Sequence, residues 1–371
     1  MKYDVCIIGG GAAGLAAAAS FNKELKICIL EKNSRPGRKL AATGGGRCNL
    51  TNEACPGKDE TLGFFRRLGI ETCCDEEGRY YPYSNRASDV VSALLDELGD
   101  NVSIRCGEIV REIIPTRKNP EEEPGFRIEA SDSSQEAKII SARRVILAAG
   151  GKSGPMFGTT GDGYSMARRL GHRVTRVYPI LAGIRCTGAD FQAIKGIRAK
   201  GCVTLLKDGE AIAGEAGEIQ FTEDGISGIC VFNLTCFMGA EEGENPAEAM
   251  KRYTLSIDLA PDFSQGELDS RKSSFGIVTR EMADMISPEE LKDWRLGVTG
   301  VKGWRDAQAT AGGISLEEID MDTMESRLVP GLYFAGEIID VQGPCGGFNL
   351  QNAWETGIKA AKAAETSLIK R

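Results

Sequence analysis

The chain of 371 residues has a single histidine, His172. Histidine is the commonest general acid or base, so chemistry built on histidine pairs is excluded. His172 itself follows Gly171 and reads as a residue at the end of a helix. Twelve cysteines contain no C-x-x-C, which removes the usual zinc and iron–sulfur spacings, and no metal is expected. No apolar run approaches the ~20 residues of a membrane span. The short apolar start does not have the form of a signal peptide. A cytoplasmic protein with reduced thiols is therefore expected, the neighbours Cys73 and Cys74 included. An excess of positive charge is also missing. Lys and Arg number 45 against 53 Asp and Glu, the net charge is −8 and the pI about 5.1. That balance argues against a nucleic-acid partner and leaves a small-molecule substrate as the expected partner, with no membrane. Internal repeats and low-complexity segments are absent, and the oligomeric state has no signature.

What is present is concentrated at the start. Tyr3 to Ile8 form an apolar run, and Gly9, Gly11 and Gly14 follow at G-x-G-x-x-G spacing. Leu15 to Phe21 are Ala-rich, Lys26 to Leu30 are apolar again, and Glu31 closes the unit, 22 residues after Gly9. Strand, tight turn, helix, strand and acid each have a physical task. Gly9 permits the turn, Gly11 lets backbone N–H groups reach a pyrophosphate, and Gly14 lets the helix lie close to the strand. The helix N-terminus favours the phosphates, and Glu31 can accept from a ribose diol. The motif predicts a dinucleotide and leaves FAD and NAD both open.

A second glycine-rich stretch runs from Arg35 to Asn52. Its three consecutive glycines, Gly44 to Gly46, allow close approach of a flat or phosphorylated ligand, and Arg38, Lys39 and Arg47 can neutralise a diphosphate. Helices are predicted over residues 61–70 and 87–98, the latter with Ser88 as N-cap. Tyr80, Tyr81 and Tyr83 lie between them. Short strands are predicted over 102–106, 109–114, 126–130, 137–140 and 144–147. Polar turns from Asn119 to Gly125 and from Ser131 to Glu136 separate them, Glu121 to Glu123 forming a solvated tip. The meander ends at Ala149-Gly150-Gly151, and a helix over 164–170 follows.

Residues 176–308 read as a second, β-rich domain inserted into the first. Its expected strands cover 201–206, 218–222 and 256–259, with helical patches at 246–252, 276–285 and 288–295. The chain then returns through the buried strand and acid of Gly331 to Glu337. A glycine loop from Gly343 to Gln351 opens an Ala-rich helix over 352–367. A plain NAD domain has no need of this second glycine-led helix start.

These segments together resemble the BaiN-type FAD-dependent oxidoreductases, the aminoacetone-oxidase-like and dehydro-bile-acid-reductase-like flavoproteins. The most specific piece is Gly37-Arg38-Lys39 through Thr43 to Asn52. Tyr81 to Asn85, Gly150 to Ser153, Thr160 to Tyr164, Gly225 to Gly228, Thr310 to Gly313, Thr323 to Ser326 and Gly346 to Gln351 also match. The stretch between Asp262 and Gly300 is shorter than in the family. The resemblance implies an α/β fold: a glutathione-reductase-like Rossmann FAD domain of parallel sheet plus β-meander. That domain would span residues 1–175 and 309–371. The inserted substrate domain of 176–308 would lie over the flavin and carry a helical segment at about 262–297.

Carried onto matching positions, Gly9, Gly11, Ala12, Ala13, Gly14, Glu31 and Lys32 would hold the ADP half. Arg38, Lys39, Thr43, Gly45, Gly46, Arg47, Cys48 and Asn49 would line the diphosphate, ribityl and flavin. Val110 would present its backbone to adenine. Ala149, Gly150, Gly336, Glu337, Gly347, Asn349 and Leu350 would close on the ribityl and the carbonyl edge of the ring.

A second G-x-G-x-x-G is absent, so NADH or NADPH, as electron donor, would dock transiently at the flavin. Three functions are open. The first is an NAD(P)H-dependent reductase of an unsaturated or ketone-like hydrophobic molecule. The others are a flavin amine oxidase using dioxygen, and a non-catalytic flavin redox sensor. Candidate proton donors are Tyr83, Glu223, a lysine or water. Cys48 and Cys345, in the two glycine loops, are candidates for a redox role or for close packing.

Overall fold

The computed structural model describes residues 2–116, 122–123, 125–132, 134, 136–241 and 243–369. The turns expected at Asn119 to Gly125 and Ser131 to Glu136 include residues outside that set. The chain divides into two compact units, residues 1–177 with 310–371, and residues 178–309.

In the first unit, β1 (Lys2–Ile8) leads into α1 (Ala12–Ala18) and β2 (Ile27–Glu31). A glycine-rich 3₁₀ segment over 40–46, β3 (Thr51–Asn52), α2 (Lys58–Arg67), β4 (Thr72–Cys74), β5 (Arg79–Pro82) and α3 (Ala87–Asp96) follow. Then come β6 (Val102–Cys106), β7 (Ile109–Pro115), β8 (Phe126–Ser131), β9 (Ala137–Leu147) and α4 (Asp162–Arg169). The second unit holds β10 (Tyr178–Ile180), β11 (Ile184–Thr187), α5 (Phe191–Ile194), β12 (Arg198–Lys207), β13 (Glu210–Thr222), β14 (Gly225–Ser227) and α6 (Ile229–Leu234). Its later elements are α7 (Pro246–Lys251), β15 (Tyr253–Asp258), α8 (Gln265–Asp269), α9 (Arg280–Ala283) and β16 (Trp294–Val301). The return carries β17 (Ala309–Ala311), β18 (Leu332–Phe334) and α10 (Phe348–Ile369).

The main sheet of the first unit has the order β6-β2-β1-β9-β8-β7, with β18 also paired to β9. β6, β2, β1, β9 and β18 run parallel, while β7, β8 and β9 form an antiparallel meander. The inner strands are apolar almost throughout because both faces are covered. Val5 to Ile8, Ile27 to Leu30 and Val145 to Leu147 are all buried. The small residues of α1 let α10 approach closely. A Cβ on Gly357 would stand 2.4 Å from the Ala13 carbonyl oxygen.

Several boundaries differ from the sequence reading. The two strands expected at 137–140 and 144–147 are one, β9, because its middle is used on both sides. Ala142 pairs with Phe126 and with Tyr3. Its polar centre looks like a turn but is satisfied in place. Arg144 donates to Ser367 Oγ at 2.8 Å and to the Ser367 carbonyl at 3.1 Å, and Arg143 pairs with Asp4. Ser88 is not the cap of α3. That helix starts at the fully buried Ala87, as expected, with Arg86 at the N-cap and no side-chain cap.

The second unit is built on a closed barrel, β11-β14-β13-β12-β15-β16. The expected helix over 288–295 is a 3₁₀ turn, Pro288–Lys292, followed by β16. Trp294 pairs with Ile257 and turns its ring inward, so barrel closure overrides the local helical pattern there. Likewise, of residues 276–285 only Arg280–Ala283 are helical. Among the described residues no helix is long and apolar enough to cross a membrane.

Candidate functional site

The glycine turn is constrained as a dinucleotide loop must be. Gly9 has φ +107°, and a Cβ there would stand 2.4 Å from the Ala148 carbonyl oxygen. A Cβ on Gly14 would meet the Gly9 carbonyl oxygen at 1.9 Å, so only glycine lets α1 sit this close to β1. Gly11 is the opposite case, with nothing within 4 Å of a built Cβ, which leaves room for a ligand against its backbone. Ala12 is half-buried beside it, and Ala13 packs 2.8 Å from a Cβ built on Gly336.

Glu31, 7% exposed, is tied into this turn. One carboxylate oxygen accepts from Gly10 N–H at 2.8 Å. The other accepts from the Asn33 backbone N–H at 2.8 Å and from Asn33 Nδ2 at 2.6 Å. A carboxylate has about four acceptor positions, so three are used and one remains for a ribose hydroxyl. Glu31 therefore has a second task that the motif does not announce, clamping the glycine turn to the end of β2.

Next to it lies a cavity of about 370 Å³ lined by Lys32, Val110, Arg111, Thr160, Asp162 and Arg169 among others. Lys32 Nζ donates to Thr160 Oγ1 at 2.7 Å and forms an ion pair with Asp162. Burial pushes the Asp162 carboxyl up, but hydrogen bonds from Lys32 and Thr160 outweigh it and hold it below the ordinary carboxylate range. Lys32 and Val110 thus line one cavity. Thr160, Asp162 and Arg169 were not among the site residues. The visible signal for them is Gly161, at φ +78° directly before α4.

Further along, Arg38 donates to Asn33 Oδ1 at 2.8 Å and to the Met156 carbonyl at 3.1 Å. Lys39 Nζ donates to Ser153 Oγ at 2.7 Å and to Glu337 Oε2 at 2.8 Å. Glu337 Oε1 accepts from Ser153 Oγ at 2.9 Å and from Thr310 N–H at 2.8 Å. Thr310 Oγ1 in turn accepts the Lys152 and Ser153 N–H groups. This lock joins the first glycine loop, the segment after Ala149 and Gly150, and the return at Gly336. Ser153 and Thr310 are further members that composition alone does not single out. A Cβ on Gly151 would clash with Thr310 Oγ1 at 2.4 Å.

The third region brings the two remaining glycine loops together. Gly44, Gly45 and Gly46 take φ of +57°, +66° and +89°, and built Cβ atoms on Gly45 and Gly46 meet nothing within 4 Å. Thr43 is held through its hydroxyl on the Leu40 carbonyl. A Cβ on Gly347 would stand 2.6 Å from the Thr51 carbonyl and 2.8 Å from Asn49 Oδ1. Asn52 Nδ2 donates to the Gly346 carbonyl at 2.9 Å. Asn49 is 9% exposed and its Oδ1 has no partner, so it is a buried acceptor aimed at a missing donor. Asn349 is different. Its side chain is consumed by Gly343, accepting from N–H at 3.0 Å and donating to the carbonyl at 2.8 Å. Any role in holding a ring falls to its backbone, at the first turn of α10 with half-buried Leu350.

Two proposed catalytic cysteines fare differently. Cys48 is fully buried at φ +62°, and burial pushes its thiol up to about 12 although Thr43 opposes this. Burial and a raised thiol suit the close-packing reading of Cys48. Cys345 is half-buried. Tyr83 is 77% exposed beyond β5, Cys73 and Cys74 are exposed free thiols, and Glu223 is paired with Lys195 at 2.8 Å. His172, 3% exposed, has Nε2 2.7 Å from Ser326 Oγ and its ring edge-on to Phe334.

The open space over Gly11, Gly45 and Gly46 and the orphan acceptor of Asn49 fit a long ligand with a diphosphate and a hydrogen-bond donor. FAD has both. Comparison with known proteins agrees. A family model described as the HI0933-like protein Rossmann domain matches residues 3–59 and 57–363. A 3-dehydro-bile acid delta(4,6)-reductase of Clostridium scindens is 34% identical, covering 96% of this chain and 98% of the relative. A ribosomal RNA dihydrouridine synthase of Escherichia coli is 26% identical, covering 97% and 98%. The solved 3-ketosteroid delta1-dehydrogenase of Sterolibacterium denitrificans shares the fold, at a TM-score of 0.56 with 13% identity over 99% of this chain and 100% of that one. With a family model matched along nearly its whole length and a relative above 30% identity, the chain belongs to the HI0933-like Rossmann family of FAD-dependent oxidoreductases.

Proposed function

We propose that this flavoenzyme is an NAD(P)H-dependent reductase that adds hydrogen across a carbon–carbon double bond conjugated to a carbonyl, in a hydrophobic small molecule. The observation that carries the reading is the convergence of two relatives' names. One is a delta(4,6)-reductase of a 3-dehydro acid, and the other makes dihydrouridine. Dihydrouridine is uridine with hydrogen added beside a ring carbonyl, and a 3-dehydro delta(4,6) skeleton has its double bonds in line with an oxidised carbon 3. The net charge of −8 favours the small molecule over RNA as substrate.

Bound FAD would supply hydride transfer. The protein's part is positioning. Gly9, Gly11, Gly14 and Glu31 hold the ADP half, with Lys32 and Val110 at the adenine. The lock of Lys39, Ser153, Thr310 and Glu337 fixes three chain segments along the middle of the cofactor. Asn49 and the start of α10 meet the ring. A single G-x-G-x-x-G supplies one dinucleotide site, so a nicotinamide donor would have to dock transiently at the bound flavin. His172 takes no part, since it is buried and bonded to Ser326.

The test is anaerobic mixing of the yellow protein with NADH or NADPH, followed by a steroid 4-en-3-one. Bleaching by a nicotinamide and recovery of colour with the enone are expected. Bleaching by a small amine but by neither nicotinamide would establish the oxidase instead. Recovery with uridine-containing RNA and not with the enone would move the substrate to nucleic acid. Failure of every donor would leave the sensor.

A further inference from the structure

Arg47 is, with the exposed Arg35 at the start of the same stretch, a cation of the glycine loops that meets no carboxylate among the described residues. Arg38 is committed to Asn33 and the Met156 carbonyl, and Lys39 to Glu337 and Ser153. Among the described residues no carboxylate lies within 4.0 Å of Arg47, and its side chain makes a long hydrogen bond, Nε to the Gly44 carbonyl at 3.3 Å. It is held all the same. Its guanidinium lies over the ring of Tyr81, 4.6 Å from the centroid, and Tyr81 is itself 6% exposed. The ring contact restrains the guanidinium, and Arg47 is exposed, so its outer nitrogens, four N–H donors, are open to a ligand. An exposed cation–π contact contributes only about 0.5–1 kcal/mol, a weak reason to keep an arginine here for stability.

Arg47 takes no part in the cluster of Lys39, Ser153, Thr310 and Glu337. The cofactor's phosphates belong at Gly11, and the middle of the site at Lys39 and Glu337. Arg47 instead follows Gly44 to Gly46, where the chain leaves open space. It precedes by two residues Asn49, which abuts Gly347 of the second glycine loop. A preorganised, carboxylate-free guanidinium at the ring end is suited to a negative charge that exists only during reaction.

We infer that Arg47 is a catalytic residue that takes the charge developing on the substrate's carbonyl oxygen. This rests on the reductase reading above. Hydride from the flavin, reduced beforehand by a nicotinamide, forms a C–H bond at the carbon β to the carbonyl. The π electrons of the double bond shift toward oxygen, giving an enolate whose O⁻ meets the Arg47 N–H groups. A proton from water then closes the α-carbon and restores the carbonyl, so the substrate gains two electrons and two protons in all while the flavin is reoxidised.

The test compares wild type with Arg47→Gln and Arg47→Lys, first by flavin absorbance per polypeptide and then with 4-fluorophenol, a flat mimic whose phenolate resembles the enolate. Fluorine NMR at pH 8 reads the ionised fraction of the bound phenol. Unchanged FAD content is expected in all three proteins. Wild type should bind the phenolate, and Arg47→Gln should lose at least tenfold in phenolate affinity. The same variant should reoxidise with the enone about 100-fold more slowly. Arg47→Lys, which keeps the charge, should stay within about tenfold of wild type. Loss of FAD from Arg47→Gln would make Arg47 a cofactor ligand and overturn the inference. So would equal phenolate binding by wild type and Arg47→Gln, or equal defects in the Lys and Gln variants. Failure of wild type to reduce any enone would overturn the reductase reading, while the phenolate arm still reports on the site.

Discussion

Glu31 shows how much one side chain can carry beyond its motif. Its bonds to Gly10 and Asn33 mean that Glu31→Ala removes a ribose acceptor and strands buried N–H donors at the turn. Purified Glu31→Ala is expected to contain little FAD, read by flavin absorbance, and to lose about 1–3 kcal/mol of stability in urea. Full FAD content would remove the ribose role. His172 gives a pH signature. Burial holds its pKa below the ordinary value, so the folded state resists its protonation. Stability is complete above the unfolded value, near 6.5, and declines as pH falls from there through the folded value. Since no other histidine exists, the decline in thermal midpoint between pH 7 and pH 5.5 should shrink in His172→Gln. Equal declines in both proteins would show that His172 is not the group responsible. For Cys48, a thiol pushed up to about 12 and buried predicts that Cys48→Ala is reduced and reoxidised within about twofold of wild type. A loss of tenfold or more would support a redox role.

Among the elements, α1 and α10 depend on each other at one point. The Ala13 carbonyl fills the place where Gly357 would carry a Cβ. Gly357→Ala is expected to cost about 2 kcal/mol or more, because rigid backbone rather than a mobile side chain must yield. FAD affinity should fall with it if both helix starts hold the cofactor as proposed. Calorimetry and FAD titration of the variant check this, and unchanged values would mean that α10 shifts freely. Element types were legible wherever periodicity and burial agree, as in β1, α1, β2 and α10. They were not where a long-range partner decides. The polar Ser141-Ala142-Arg143 stretch of β9 is locally a turn, but paired strands on both sides and Ser367 complete it. β16 begins in a helical pattern and is drawn into the barrel by its pairing with β15.

For the molecule as a whole, two units with separate cores, one carrying the FAD residues, predict uneven stabilisation. Free FAD at 100 times its Kd should raise the unfolding free energy of the unit of residues 1–177 and 310–371 by about 2.7 kcal/mol and leave the barrel unit unmoved. Calorimetry with and without FAD reads it, and an equal shift of every transition would show that the units unfold as one. The sequence by itself determined that a dinucleotide is held, because the glycine turn, the helix start and the acid obey local steric rules within thirty residues. Only the tertiary structure decided how the candidate site residues are used. Whether Glu31 is free or clamped, whether Lys39 faces a phosphate or Glu337, and whether Arg47 meets a carboxylate depend on partners up to 298 residues away. Hydrogen bonding and charge pairing are settled by distance in space, and spacing along the chain does not encode it.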